Sequence, residues 1–314
     1  MNENFKEDVI NGLTNHPKSL PSKYFYDEIG DELFVQIMNL PEYYLTDCEM
    51  EIFQDQTNAL ITSLGVQVNR PFDLIELGAG DGSKTFHLLK KLVDQKYDFT
   101  YNPVDISNHA LEGLESDLNA SIPKLNIEKQ QGDYFNILSK LKDNGKQKII
   151  LFLGSNIGNF MDNKAHSFLK SAGEFMSKED RLLIGVDLIK AKEIVLPAYS
   201  DSQGVTAAFN LNLLDRINQE FEGDFDRNQF KHLATYEEHE GIARSYIVSQ
   251  TSQTVHLKLL DLKIEFSENE KIHTEISRKY NEDILNKVLV GTQLNIASKI
   301  TDSKGFFADF ILKK

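Results

Sequence analysis

The sequence predicts an α/β protein: a parallel sheet covered by helices on both faces, joined by a second α+β unit. Three observations carry that expectation. Between Pro71 and Val186, short apolar runs alternate with helix-periodic stretches, which is the pattern of repeated βαβ units. The runs at 148–153 and 181–186 are apolar on both faces, as strands must be when helices cover both sides of their sheet. Residues 190–280 then break the alternation with strand-like segments in succession, which implies antiparallel pairing.

Element by element, residues 1–70 read as mostly helical around an aromatic, non-periodic patch at 20–27. A short helix pattern at 31–38 stops at Leu40-Pro41, because a residue before proline is pushed out of the helical region. Thr46 or Asp47 is a candidate cap for a helix over 49–60. A strand at 72–77 leads through Gly78-Ala79-Gly80-Asp81-Gly82 into a helix pattern carrying Thr85, Leu88, Leu89, Leu92 and Val93. Strand-like 97–104, helix-like 108–118, strand-like 125–130 and helix-like 134–141 follow, then the two doubly apolar strands. Residues 205–222 form a helix pattern, and 243–250, 254–260 and 263–266 alternate as strands. A helix at 281–290 and a strand at 305–312 return to the α/β pattern. The implied organisation is a core of 55–188 plus 281–314, with 1–54 plus 189–280 as the second unit.

Composition narrows the function. The chain has 314 residues, with 34 Lys and Arg against 48 Asp and Glu and a formal net charge of −14. A sequence-independent nucleic-acid binder needs surplus cations to displace counterions, so no nucleic-acid partner is expected. The single cysteine, Cys48, allows no intrachain disulfide, which suits a reducing compartment. The N-terminus lacks an apolar signal core, and the longest apolar run, 149–153, is far too short to span a bilayer. A cytoplasmic enzyme or binding protein without a membrane partner is the expectation. The histidines show no metal-ligand spacing, so no metal is expected either.

The glycine loop is the first feature with chemistry. Gly78-x-Gly80-x-Gly82 sits directly after a strand and before a helix, where bare backbone N–H groups can approach a ligand at the positive end of the helix. The spacing is neither the dinucleotide G-x-G-x-x-G nor a P-loop. Glu76 precedes the loop, Asp105 closes the next strand pattern, and Gly132-Asp133-Tyr134 follows the third. This set resembles the S-adenosylmethionine (SAM) site of class I methyltransferases. The resemblance implies a Rossmann-like core, Asp105 on both ribose hydroxyls, Asp133 and Tyr134 near the adenine, and Glu76, Gly78 and Gly80 shaping the loop. Lys84 stands where it can reach the carboxylate of the cofactor.

A second set of motifs specifies the family. Leu20-Pro21-Ser22-Lys23-Tyr24-Phe25-Tyr26-Asp27 and Leu40-Pro41-Glu42-Tyr43-Tyr44 lie near the start. Leu153-Gly154-Ser155-Asn156-Ile157-Gly158-Asn159 follows the fourth strand. Ala198-Tyr199, Gly204-Val205-Thr206-Ala207, Phe209-Asn210 and Thr274-Glu275-Ile276-Ser277 come later. Together they resemble the histidine-specific SAM-dependent methyltransferases, the Nα-methyltransferases of ergothioneine biosynthesis. The resemblance runs from about Pro17 to the last residue. It implies a substrate pocket between the core and the second domain. Tyr43, Asn159 and Tyr199 would hold the α-amino and α-carboxylate groups, with Tyr26 beside the amine. Glu275 and Ser277 would bond the imidazole, and Phe34 and Ser245 would line its surroundings. Tyr26 and Asn159 are the catalytic candidates.

The expected reaction is trimethylation of L-histidine to hercynine. SAM is the methyl donor and is released as S-adenosylhomocysteine (SAH), and the enzyme is expected to act as a monomer. The chain departs from the family at Ser245, often methionine in relatives, at Arg244, which replaces an expected acid, and at Asn156, where threonine is expected. These departures motivate a second reading, Nα-methylation of another amino acid such as tryptophan. A non-catalytic SAM- or amino-acid-binding module is the third.

Overall fold

The computed structural model describes residues 3–132, 137 and 145–314. Asp133, Tyr134 and, apart from Ile137, the helix expected over 134–141 lie outside the described residues. In chain order the strands are β1 (Lys18–Ser19), β2 (Phe72–Leu77), β3 (Phe99–Asp105), β4 (Gln130–Gln131), β5 (Gln147–Phe152), β6 (Arg181–Asp187), β7 (Phe230–Glu237), β8 (Ile242–Ser249), β9 (Gln253–Leu257), β10 (Leu262–Phe266), β11 (Lys271–Arg278), β12 (Asn295–Thr301) and β13 (Phe307–Lys313). Contacts divide the chain into two compact units: Met1–Tyr44 with Lys190–Ser277, and Leu45–Ile189 with Arg278–Lys314.

The second of these units is built on a seven-stranded sheet in the order β12-β13-β6-β5-β2-β3-β4. β2 pairs in parallel with both β3 and β5, and β5 in parallel with β6, while β13 runs antiparallel between β6 and β12. All six residues of β5 are buried, so this strand is covered on both sides, as its continuous apolar run requires. The helix Asp162–Phe175 turns Ala165, Phe168, Leu169 and Ala172 into a core with Ile150, Phe152, Leu182 and Ile184. Removing the side chain of a fully buried phenylalanine such as Phe168 costs about 3–5 kcal/mol. β2 is the point where the strand order reverses. Ligands of open α/β sheets bind beyond the carboxyl ends of the strands at that point.

Two sequence expectations change here. The helix expected over 49–60 is two helices, Tyr44–Asp55 and Thr57–Leu64. The apolar stripe extends back to Leu45, so Thr46 and Asp47 lie inside the first helix and do not cap it. The break falls at Gln56, whose side-chain amide donates to the Thr301 carbonyl at 2.7 Å. The strand expected over 125–130 contracts to β4 and an isolated Tyr101–Ile127 bridge, because this edge is paired on one side only.

The other unit carries a four-stranded sheet in the order β1-β11-β8-β7 and the β9–β10 pair. Its core gathers Phe209, Leu213, Ile217 and Phe221 of the helix Val205–Phe221 with Phe5, Leu13, Phe25, Ile247 and Ile272. Asp27 caps the helix Glu28–Met38, its carboxylate accepting from the Gly30 amide at 2.7 Å and from Asn212 at 2.8 Å. A Cβ on Gly30 would collide with the Phe25 carbonyl, so the turn carrying Tyr26 needs glycine there. No helix among the described residues is long and apolar enough to cross a membrane.

Candidate active site

The loop after β2 is shaped by glycines in left-handed conformations, with φ of 73° at Gly78, 54° at Gly80 and 64° at Gly82. Residues with a Cβ adopt that region at a cost. The Gly78 amide donates to the Val104 carbonyl at 2.8 Å, which ties the loop to the end of β3. There Asp105 accepts from the Gly80 amide at 3.4 Å and from the Ser107 amide at 3.0 Å. No atom of the described residues lies within 4 Å of the place a Cβ on Gly80 would take. An open backbone cradle beside a half-buried carboxylate is what the ribose and amino-acid parts of SAM require, so these residues fit that molecule.

Glu76 stands behind the cradle. It is buried, and its carboxylate accepts from Thr85 Oγ1 at 2.7 Å and Tyr101 Oη at 2.6 Å. These bonds join β2 to β3 and to the first turn of the helix Thr85–Asp94. Burial raises the Glu76 carboxyl to about 7; the Thr85 and Tyr101 bonds and the Lys84 charge pull against it, and the Glu49 charge adds to it. A folded-state value above the unfolded one gives stability that is complete below the unfolded value and is lost as pH rises through the folded value. The window here is pH 4.5 to 7, and the full shift is worth about 3 kcal/mol. In Glu76→Gln that dependence should vanish. Denaturant titrations of both proteins at pH 5 and pH 8 should show the variant gaining on the wild type by about 2 kcal/mol. Parallel pH curves would refute this account of Glu76.

The loop after β5 is equally constrained. Gly154 and Ser155 both take left-handed φ, 69° and 57°. Ser155 Oγ accepts from the Asp187 amide at 3.1 Å. A Cβ on Gly158 would stand 2.8 Å from the Arg278 carbonyl, so the backbones pack too closely for a larger residue. The turn Asn156–Asn159 follows and leaves Asn159 exposed. Lys84 places its ammonium against Glu49, a fully buried carboxylate on the helix Tyr44–Asp55.

The remaining substrate candidates all fall in the unit Met1–Tyr44 with Lys190–Ser277. Phe34 packs on Tyr26 at 5.5 Å and on Tyr43 at 6.3 Å between ring centroids. Phe209 completes the group, at 5.7 Å from Tyr26 and 5.9 Å from Phe34. Tyr199 Oη donates to Ser277 Oγ at 2.8 Å, and Ser245 Oγ donates to Glu275 Oε2 at 3.3 Å. Ser245 and Glu275 sit on neighbouring strands, β8 and β11. Arg244 faces the opposite side of β8 from Ser245 and pairs with Glu240 at 2.9 Å.

The structure thus brings Tyr26, Phe34 and Tyr43 into one aromatic cluster and links Tyr199, Ser245, Glu275 and Ser277 in two bonded pairs. It places Glu76, Gly78, Gly80, Lys84, Asp105 and Asn159 in the other unit. Sequence reasoning assigned no role to two residues that the structure adds to these groups, Phe209 and Glu49. Phe209 as the hub of the aromatic cluster was signalled by the 205-209-213 spacing along its helix. Glu49 was signalled by a carboxylate inside the stripe Leu45, Cys48, Ile52, Phe53.

Comparison with known proteins gives a consistent result. A family model described as histidine-specific methyltransferase, SAM-dependent, matches residues 5–314. A histidine N-alpha-methyltransferase of Mycolicibacterium smegmatis is 35% identical over 97% of this chain and 93% of its own length. One from Mycobacterium tuberculosis is 34% identical over 96% of this chain and 92% of its own. Among solved structures, the mitomycin 7-O-methyltransferase MmcR aligns with a TM-score of 0.50 at 13% identity, over 99% of this chain and 66% of that one. The core sheet is therefore the class I methyltransferase sheet expected from the sequence.

Proposed function

The chain belongs to the histidine-specific, SAM-dependent methyltransferases, and from that premise we propose that it methylates the α-amine of L-histidine three times to give hercynine. SAM supplies a methyl group carried on a sulfonium. Gly78, Gly80 and Asp105 hold it, with Glu76 bracing the loop; the family resemblance assigns the adenine end to Asp133 and Tyr134. An ammonium has three donors, so Lys84 can bond Glu49 and still serve the amino-acid end of the cofactor.

The observation that carries the acceptor assignment is the linked set Ser245–Glu275 and Tyr199–Ser277. A carboxylate beside a serine hydroxyl suits an imidazole, which offers an N–H to one and accepts from the other. The family motifs assign Tyr43, Tyr199 and Asn159 to the α-amino and α-carboxylate groups, which hydroxyls and an amide can bond without adding charge. Tyr26 is assigned to the reacting amine. Each transfer forms a C–N bond at that amine as the sulfonium's bond to the methyl group breaks; SAH leaves with the electron pair of that bond, and the nitrogen gives up a proton. An amine that has lost its proton must be aimed in line with the methyl group. The growing ammonium is accommodated by the rings of Tyr26, Phe34, Tyr43 and Phe209, which attract cations without fixing their rotation. The Arg244 departure supplies no support for a different acceptor, because Arg244 is paired with Glu240 on the opposite face of its strand from Ser245.

Incubation of the protein with L-histidine and SAM, followed by mass spectrometry, is expected to show a gain of three methyl groups on histidine. An unchanged histidine pool, with tryptophan or another amino acid consumed in the same panel, would move the assignment to that acceptor. Binding of both ligands without turnover would support a non-catalytic module.

A further inference from the structure

A carboxylate with no solvent exposure must be held by strong partners, or its burial costs several kcal/mol. Glu49 is 0% exposed, and its partners come from two different functional loops. Lys84, the residue before the helix that follows the glycine loop, places its ammonium against Glu49 Oε2. From the loop after β5, the Gly154 amide donates to both carboxylate oxygens, at 3.0 Å and 2.9 Å. The neighbouring strand leaves room for this arrangement only because residue 185 is glycine: a Cβ there would collide with Glu49 Oε1. Asp309, directly opposite Gly185 on β13, is also fully buried, and neither of its oxygens has a hydrogen-bond partner among the described residues. Burial, reinforced by the Glu49 charge, holds the Asp309 carboxyl well above the usual carboxylate range. The ion pair of this cluster is Lys84 with Glu49.

We propose that Glu49 is a positioning residue for methyl transfer, a carboxylate clamp that fixes the loop Gly154–Asn159 relative to the glycine loop. The proposal rests on the reading that the glycine loop holds SAM and that Asn159 serves the acceptor. Glu49 touches neither molecule; it acts through Lys84 and the Gly154 backbone. A helix of this unit thereby sets the distance between two loops that the sheet alone would leave independent.

The test compares the full chain with Glu49→Gln and with the double variant Glu49→Gln/Lys84→Met, which removes both charges together. The introduced glutamine keeps an oxygen for the Gly154 amide and loses the charge that holds Lys84. Three quantities are read: SAH affinity by calorimetry, KM and kcat for both substrates, and the melting temperature. Glu49→Gln is expected to weaken SAH binding about tenfold, as loss of one charged hydrogen bond does. It should raise KM for histidine and lower kcat at temperatures well below melting. The double variant should fold and lose at least as much, since Lys84 also serves the cofactor. SAH affinity and both KM values within about twofold of wild type, with only the melting temperature lowered, would overturn the proposal and leave Glu49 a structural buried charge. Insolubility of both variants would overturn it as well, since the pair would then be needed for folding. SAH binding requires no acceptor. A wrong acceptor therefore shows as a wild type that binds SAH and leaves histidine unmethylated, while the Glu49 comparison stands.

Discussion

Asp105→Ala is expected to lower the affinity for SAM and SAH by about 10²-fold or more, because two hydrogen bonds to a charged acceptor are worth about 1.5–3 kcal/mol each. The position argues for this size. Asp105 closes β3, next to the strand where the sheet order reverses, and its carboxylate already lies 3.4 Å from the amide of Gly80. One oxygen also accepts from the Ser107 amide at 3.0 Å, ahead of the helix Asn108–Ser121, so alanine removes a local brace as well as the ligand contact. Asp105→Asn separates the two effects. Asparagine keeps an oxygen for Ser107 but offers a neutral group to the ribose, and it should cost about tenfold in affinity. Calorimetry with SAH reads both variants without turnover. If Asp105→Ala binds SAH within about threefold of wild type, Asp105 does not hold the ribose.

The core was legible because a buried parallel sheet writes itself into the sequence. β5 and β6 carry apolar residues on both faces, and glycines with left-handed φ mark the loop after β2. Features stabilised from a distance were less legible. β7 and β12 alternate weakly in sequence and are half-buried or exposed over most of their residues, so their pairing with β8 and β13 decides their conformation and their own residues do not. The helix Asp162–Phe175 carries charged and amide side chains on its outer face, and its apolar stripe becomes decisive only against Phe152 and Ile184. The candidate site divides in the same way. Gly78 and Gly80 are local in sequence and legible from spacing, and Asp105 joins them through the resemblance to class I methyltransferases. Tyr26, Tyr43, Tyr199 and Glu275 are scattered from one end of the chain towards the other; family motifs drew them together, since residue type alone makes each an ordinary core aromatic or surface acid. Glu49 was visible as a carboxylate in an apolar stripe, but its partners Lys84 and Gly154 arrive from other elements and only the fold reveals them.

Glu275→Ala is expected to raise KM for histidine by about 10²-fold while leaving KM for SAM within about threefold, since a charged hydrogen bond of about 1.5–3 kcal/mol is lost on one substrate only. Glu275 lies in the unit that carries Tyr199, Ser245 and Ser277, and the glycine loop lies in the other, so a selective effect is the natural outcome. Its partner makes a second arm possible. Ser245 donates to Glu275 Oε2 at 3.3 Å, and Ser245→Ala removes that donor while sparing the charge. The loss there should be no more than about tenfold, since the carboxylate assigned to the ring is retained. Selectivity completes the argument. An imidazole has an N–H for the carboxylate and a nitrogen to accept from a hydroxyl, whereas the phenyl ring of phenylalanine offers neither. Wild type should therefore reject phenylalanine strongly, and Glu275→Ala should lose most of that discrimination through weaker histidine binding. Equal losses for histidine and SAM would show that Glu275 supports the fold and does not read the ring. Unchanged discrimination between histidine and phenylalanine would place the imidazole contact on other residues.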